Sequence, residues 1–199
     1  MHYRRHARRT RLILAALCVA TGAAQAQVRS RTRTRAPVRS TLHLRADLSR
    51  RRLYVISGTD TARSYPIAIG DSSHPTPTGN FRIARIVWNP KWIPPEEAWA
   101  ANKEPQRPGA RSNPMRLVKI FFQEPDYYIH GSNEPRSVGY ALSHGCLRME
   151  PLEAYRLARM LMDRSGVRRS AAWYARVRRV HSVTQTIRLP RPVAMEIVG

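Results

Sequence analysis

Residues 143–149 read SHGCLRM, and this stretch holds the thiol of Cys146 between His144 and Arg148. The next segment, residues 150–164, repeats its apolar side chains at the spacing of an amphipathic helix. A thiol near a helix N-terminus and near cationic side chains has a lowered pKa, which favours the nucleophilic thiolate. The stretch therefore predicts a reactive cysteine between a turn and a helix.

A second histidine, His130, lies upstream in the stretch HGSN, residues 130–133. One thiol with a histidine elsewhere in the sequence is the pattern of a nucleophile and its general base. Two other interpretations stay open: Cys146 could be an inert core thiol, or Cys146 and the two histidines could bind zinc. Zinc sites usually have three or four protein ligands, and no further ligand has a recognisable spacing, so we favour the nucleophile and expect no metal.

These motifs resemble the L,D-transpeptidase catalytic domain family, the YkuD-type enzymes that use a cysteine to cross-link or modify peptidoglycan. The resemblance covers about residues 42–158 and is weaker at residues 190–198. The stretches that carry it are PTPTGNF at 75–81, PKWIPP at 90–95, NPM at 113–115, HGSN at 130–133, SVG at 137–139 and SHGCLRM at 143–149.

The resemblance implies exchange of a peptide bond on a peptidoglycan stem peptide. Cys146 would give its proton to His130 and attack a carbonyl, so that D-alanine leaves and a thioester remains. Transfer of the acyl group to an amine would give a cross-link or attach an envelope protein through a lysine, whereas transfer to water would make the protein a carboxypeptidase. No cofactor is expected. The family pattern selects His130 as the base, since the residues alone leave His144 equally open.

The expected catalytic group also includes the neighbours of the base and the nucleophile. The carbonyl of Gly131 or the hydroxyl of Ser132 would orient His130. The backbone N–H groups of Gly145 and Cys146 would bind the oxyanion, because glycine lets the chain approach the substrate closely.

Several side chains are expected to contact the substrate. Arg148 suits a stem carboxylate because its planar guanidinium matches that group, although a surface ion pair or a loop brace would also use it. His144 would position the substrate or support its loop. Trp92 lies in a long segment rich in Pro and Trp, residues 89–113, which we interpret as a partial lid rather than pure packing. The complete expected set is Arg148, Ser143, Asn133, Tyr128 and Trp92.

The first 26 residues have the parts of a secretory signal peptide. A basic region precedes an apolar run at residues 12–20, which is too short to span a bilayer, and residues 24–26 read AQA, a small-x-small cleavage site. Lipidation of Cys18 is not expected, because a leucine precedes it where a small residue is needed. We therefore expect export to the periplasm or cell envelope, no stable transmembrane segment, and Cys146 as the one thiol of the mature chain.

The formal net charge is +22, from 35 Lys and Arg against 13 Asp and Glu. Such a charge suits nucleic acid, anionic lipid or an acidic polymer, but no nucleic-acid motif is present, so we expect no nucleic-acid partner. Residues 27–40 are basic and lack large apolar side chains, which predicts a disordered tether. This tether would either attach the protein to anionic envelope surfaces or act as a spacer.

Residues 41–199 are expected to form the catalytic domain. Short β segments separated by turns predict a mainly β sandwich or barrel-like fold with one principal helix after Cys146. The helix should begin at Pro151, where proline is tolerated, and end at Gly166. Residues 186–198 are predicted to form a final strand at the edge of a sheet, because prolines interrupt it.

Two rival functions fit the sequence less well. Serine D,D-transpeptidases need a Ser-x-x-Lys motif, and no serine of the sequence has a lysine three positions later. A non-catalytic binder of peptidoglycan would use the basic tether, but it would not need the combination of cysteine, histidine, glycine and arginine found at residues 130–148.

Overall fold

The computed structural model of the protein describes residues 42–199. The predicted signal peptide (residues 1–26), the predicted tether (residues 27–40) and residue 41 lie outside the described residues. Within residues 42–199, no helix combines the length and the apolar character that crossing a bilayer requires.

Ten strands and two α-helices make up the regular structure of the described residues. The strands are β1 (Leu42–Asp47), β2 (Arg52–Ser57), β3 (Asp60–Pro66), β4 (Ile69–Gly70), β5 (Gly79–Trp88), β6 (Val118–Gln123), β7 (Tyr127–Gly131), β8 (Ala141–Ser143), β9 (Leu147–Met149) and β10 (Gln185–Val198). The helices are α1 (Pro151–Ser165) and α2 (Ala171–Arg179).

Eight of the strands form one sheet in the order β3-β2-β1-β10-β5-β6-β7-β9, while β4 and β8 pair with each other. The chain just after β3 bonds to β9: the N–H of Ala68 donates to the carbonyl of Arg148 at 2.8 Å, and the N–H of Arg148 donates back at 3.1 Å. Because β3 and β9 are the two edges of the sheet, this joint gives a nearly closed, barrel-like sheet. The predicted mainly β fold is confirmed.

Helix α1 has the predicted ends and the predicted buried face. The Glu150 carboxylate accepts a hydrogen bond from the N–H of Glu153 at 3.0 Å, and Pro151 takes the first helical position. Gly166 ends the helix in the left-handed conformation, with φ at 95°. The apolar stripe packs fully buried in the core and consists of Ala154, Leu157, Ala158 and Leu161. Helix α1 therefore covers the sheet directly behind the strands that carry the predicted site.

The prediction that the last strand is an edge strand is wrong. Strand β10 lies between β1, to which it is parallel, and β5, to which it is antiparallel. Pro190 and Pro192 fall in the register shift between Arg188 and Val193, and pairing with β1 begins only at Ala194. The prolines, which have no N–H to donate, therefore lie where neither neighbouring strand needs a donor.

Candidate active site

A cavity of about 790 Å³ brings the predicted nucleophile and base together. The expected site residues that line it are Cys146, His130, His144, Ser143, Arg148, Asn133, Tyr128 and Trp92. Gly131, Ser132 and Gly145 are chain neighbours of these residues and contribute no wall to the cavity.

Three adjacent strands deliver the charged and titratable side chains to this cavity. His130 of β7 is in register with Lys119 of β6 on one side and with Arg148 of β9 on the other. Residues paired across neighbouring strands share a face of the sheet, as do residues two apart on one strand, so Tyr128 joins the same face. Cys146 immediately precedes β9, two residues before Arg148. The sheet thus holds base and nucleophile on neighbouring chain segments of one face.

His130 is held as a neutral base by a backbone contact. Its Nδ1 lies 2.8 Å from the carbonyl oxygen of Gly131 and donates a proton to it, which leaves Nε2 as an acceptor. The side chain is buried, and this burial, followed by the charge of Arg148, lowers the pKa of His130 to about 3. The imidazole is therefore unprotonated at neutral pH, as a general base must be.

The Gly131 carbonyl, rather than the Ser132 hydroxyl, makes this orienting contact. The Ser132 hydroxyl donates to the carbonyl of Glu134 at 3.1 Å and accepts from the N–H of Glu134 at 2.9 Å. It thereby fixes the turn that follows β7, so that its part in the site is to hold the backbone beside His130.

The thiol of Cys146 is protonated at rest. Burial raises the pKa of Cys146 to about 11, and this effect exceeds the opposite effects of the Tyr128 backbone N–H and the Lys119 cation, which lower the pKa. The thiol donates to the carbonyl of Asp126, with the sulfur 3.3 Å from the oxygen. The prediction of a thiolate stabilised by a helix N-terminus is wrong, because β9 separates the cysteine from α1.

The turn that carries Cys146 depends on a serine and a glycine. The Ser143 hydroxyl is buried and donates to the carbonyl of Cys146 at 2.6 Å, which closes the turn. Gly145 has φ at 93°, and a Cβ added there would lie 2.6 Å from Cε1 of Tyr127. Glycine is therefore required both for the left-handed backbone and for the space beside the tyrosine ring.

The contacts of Arg148 fit both an ion pair within the protein and a position for binding substrate. Its Nη1 forms an ion pair with Glu134 at 3.3 Å, and its side chain also lines the cavity. Glu134 is mostly exposed, so this ion pair contributes little to stability. Replacing Glu134 at the guanidinium by the carboxylate of a substrate would therefore cost little free energy.

The segment predicted as a partial lid forms one wall of the cavity. Trp92 is largely buried, and its backbone forms hydrogen bonds with the backbone of Gln106. These bonds hold two parts of the segment together. Trp99 lies at the cavity and stacks on the ring of His144, with the ring centroids 3.8 Å apart. His144 is thus packed against the wall, whereas His130 is delivered by the sheet.

Lys119 also lines the cavity, although it was not among the site residues expected from the sequence. Its Nζ lies 4.4 Å from the ring centroid of Tyr128, and no carboxylate of residues 42–199 forms an ion pair with it. Burial lowers the pKa of Lys119 to about 8. The available signal was one lysine within the strongly apolar run of residues 117–122, where an unpaired charge is costly.

Comparison with known proteins identifies the domain that these residues form. The family model of the L,D-transpeptidase catalytic domain matches residues 42–175. The putative L,D-transpeptidase YkuD of Bacillus subtilis is 28% identical over 116 residues, which is 58% of this chain and 58% of that protein. The probable L,D-transpeptidase YbiS of Escherichia coli is 33% identical over 103 residues, covering 48% of this chain and 33% of that protein. The matches therefore span only part of these relatives.

Solved structures share the fold at low sequence identity. The carbamoyl enzyme that Ldtfm forms with avibactam superposes with a TM-score of 0.51 and 15% identity, over 79% of this chain and 49% of that one. L,D-transpeptidase 3 of Mycobacterium tuberculosis gives a TM-score of 0.50 and 12% identity, over 80% of this chain and 62% of that one.

Proposed function

Because this chain belongs to the L,D-transpeptidase catalytic domain family, we propose that it is an exported cysteine L,D-transpeptidase acting on peptidoglycan stem peptides. The observation that carries the proposal is the delivery of Cys146 and His130 to one cavity by neighbouring segments, with His130 fixed by the Gly131 carbonyl. Export rests on the signal-peptide pattern of residues 1–26.

The first half of the reaction starts from two neutral groups. The thiol of Cys146 gives up its hydrogen bond to Asp126 and passes its proton to Nε2 of His130 as the sulfur attacks the substrate carbonyl carbon. Backbone N–H groups of Gly145 and Cys146 bind the oxyanion, and each such donor is typically worth about 10²–10³ in rate. The C–N bond then breaks, the leaving D-alanine amine takes the proton from His130, and a thioester remains on Cys146.

The second half regenerates the enzyme. An acceptor amine attacks the thioester carbon, His130 takes its proton, and the sulfur leaves and is reprotonated by His130. A stem peptide as acceptor gives a cross-link, and a lysine of an envelope protein gives an attached protein. Water in the same position gives an L,D-carboxypeptidase, which is the alternative activity of the same site.

Positive charge at the cavity favours an acidic substrate. Lys119 and Arg148 flank His130, and the ion-pair partner of Arg148 is an exposed, displaceable carboxylate. Peptidoglycan stem peptides carry carboxylates, so these cations suit their approach and orientation. Asn133, Tyr128 and Trp92 line the same cavity and complete the proposed substrate contacts.

Mass spectrometry of muropeptides incubated with the protein tests the proposal. The wild-type chain should release D-alanine from a tetrapeptide stem and transfer the remaining acyl group to an added amine, whereas Cys146→Ala should leave the stem unchanged. Product formed only with water would identify the carboxypeptidase. Stems that remain intact with wild type and are retained equally by both proteins would identify a non-catalytic binder and refute the enzyme.

The same assay separates the two histidines. His130→Ala should slow acyl-enzyme formation by roughly 10²–10⁴, the usual contribution of a general base. His144→Ala should cost less, because His144 is packed on Trp99 rather than fixed by a backbone carbonyl. A larger loss in His144→Ala than in His130→Ala would reverse the assignment.

A further inference from the structure

A cluster of potential metal ligands lies beside the nucleophile, at the loop that follows β4. One ligand atom each from Asp71, His74 and His144 lie within 4.8 Å of one another. Asp71 and His74 belong to this loop, and His144 belongs to the turn before Cys146. No local sequence pattern indicates the cluster, because about seventy positions separate its two parts.

The loop is held in place independently of any ligand. The N–H of Asp71 donates to the carbonyl of Ser143 at 2.9 Å, which ties the loop to the residue before His144. The N–H of Gly70 donates to Thr76 Oγ1 at 2.9 Å, and a Cβ added at Gly70 would lie 2.2 Å from the carbonyl oxygen of His74. The three side chains therefore meet on a preorganised backbone, which lowers the entropy cost of binding an ion.

Asp71 and His74 hold their potential ligand atoms close to each other. Oδ1 of Asp71 accepts from Nδ1 of His74 at 3.1 Å and from the N–H groups of Ser73 and His74 at 2.9 and 2.8 Å. Nδ1 of His74 and Oδ1 of Asp71 are therefore already about as far apart as two ligands of one small metal ion, and a bound ion would replace the proton that Nδ1 donates.

His144 has an unused ring nitrogen. Its Nδ1 is buried and has no hydrogen-bond partner within residues 42–199. Its ring packs between those of Trp99 and His74, with centroid distances of 3.8 and 4.6 Å.

We propose that Asp71, His74 and His144 bind one divalent transition-metal ion at the rim of the active-site cavity. Two imidazoles and one carboxylate suit Zn²⁺ and similar ions, and three protein ligands leave a coordination position open. Ca²⁺ and Mg²⁺ prefer six or more oxygen ligands and are disfavoured. The sulfur of Cys146 is not among the ligand atoms that lie within 4.8 Å of one another. The site thus differs from the cysteine–histidine zinc site considered from the sequence.

Isothermal titration calorimetry with ZnCl₂ tests the site on the full chain. Cys146→Ala serves as the background, so that zinc bound by the thiol cannot contribute. This variant should bind one Zn²⁺ per chain, and adding His74→Ala or Asp71→Asn should weaken binding by roughly ten- to a hundredfold. Adding His181→Ala, which removes an exposed histidine that is not part of the cluster, should leave the affinity unchanged.

Cobalt spectroscopy supplies a second measurement that does not depend on affinity. Co²⁺ bound to the Cys146→Ala background should give the visible d–d bands of a low-coordinate nitrogen and oxygen site, and His74→Ala should remove them. The proposal is overturned if Zn²⁺ binding is absent from the Cys146→Ala background, or if His74→Ala leaves affinity and spectrum unchanged. It is also overturned if His181→Ala weakens binding as much as His74→Ala does.

Discussion

Burial acts on the two reacting side chains in complementary directions. It raises the pKa of the Cys146 thiol to about 11 and lowers the pKa of the His130 imidazole to about 3. Both groups are consequently uncharged at neutral pH, and the ion pair forms only as the proton moves during attack. The charge of Lys119 favours the thiolate, but its ammonium ion is half-buried and has no ion-pair partner among residues 42–199, which costs stability.

Replacing that cation should make the protein more stable and its cysteine less reactive. Lys119→Met removes the buried charge, and we expect an increase in the free energy of unfolding of roughly 1–3 kcal/mol at pH 7. The sign follows from the lowered pKa, since the unfolded chain binds this proton more tightly than the folded chain does. The gain should therefore shrink as pH rises through the interval from about 8 to 10.5. Urea denaturation at several pH values measures it.

Alkylation of Cys146 by iodoacetamide gives the second readout for the same variant. At pH 7 the rate should fall severalfold in Lys119→Met, because the thiolate loses its nearby cation. Lys91→Met, at an exposed position, should change the free energy of unfolding by less than about 0.5 kcal/mol. Destabilisation by Lys119→Met together with an unchanged alkylation rate would show that Lys119 has a packing role instead.

At the scale of elements, one asparagine connects the end of β5 to the end of α2. Asn89 has φ at 48°, a left-handed conformation that asparagine tolerates better than most residues. Its Nδ2 donates to the carbonyl of Val177 at 2.9 Å and to that of Val180 at 3.1 Å. Helix α2 otherwise packs against β5 through Tyr174 and Trp88, whose ring centroids are 5.8 Å apart. The asparagine thus satisfies carbonyls at a helix C-terminus that would otherwise be buried without partners.

Removing this side chain should loosen α2. Asn89→Ala loses the bonds to the helix end and keeps the unfavourable φ, and we expect it to cost about 2–4 kcal/mol. Asn89→Asp should cost at least as much, because a carboxylate would face the same carbonyls. Asn80→Ala, at an exposed position of β5, is the matched control and should change stability by less than about 0.5 kcal/mol. Urea denaturation that finds Asn89→Ala and Asn80→Ala equivalent would contradict this role.

The elements that could be predicted from the sequence are those with local determinants. Helix α1 followed from Pro151, Gly166 and the apolar stripe between them, all of which act within one segment. The interior position of β10 could not be predicted in this way, because it depends on pairing with residues of β1 about 150 positions away. The prolines of β10 favoured an edge position, because the register shift that accommodates them cannot be recognised in the sequence.

The site residues also differ in whether a local sequence motif indicates them. Cys146, His144 and Arg148 form one local motif, and His130 follows from a second motif that resembles a known family. Lys119 joins the site through its register with His130, and Asp71 joins through a backbone bond to Ser143. The contact of Asp71 is a long-range consequence of the fold with no local pattern in the sequence, whereas the position of Lys119 in an apolar run is a local signal that does not by itself say which residue lies opposite.

For the molecule as a whole, the buried base predicts sensitivity to mild acid. The pKa of His130 is lowered on folding, so the unfolded chain takes up a proton near pH 6.5 that the folded chain takes up only near pH 3. The free energy of unfolding should therefore fall as pH falls below about 6.5, by up to roughly 1.4 kcal/mol per pH unit from this residue. Urea denaturation between about pH 5 and 6.5, above the range where most carboxylates titrate, measures the slope.

His130→Asn should flatten this dependence, whereas His181→Asn, at an exposed position, should retain it. Equal slopes for wild type and His130→Asn would mean that another group controls acid stability.

The interior position of β10 also orders events during synthesis. Strands β1 and β5 flank it, yet residues 185–198 leave the ribosome after the other nine strands of residues 42–199. Until residues 185–198 emerge, β1 and β5 lack the strand that lies between them. The pairings of β1 with β2 and of β5 with β6 are then not stabilised by β10. The site around Cys146 is consequently completed only after residues 185–198 have been synthesised.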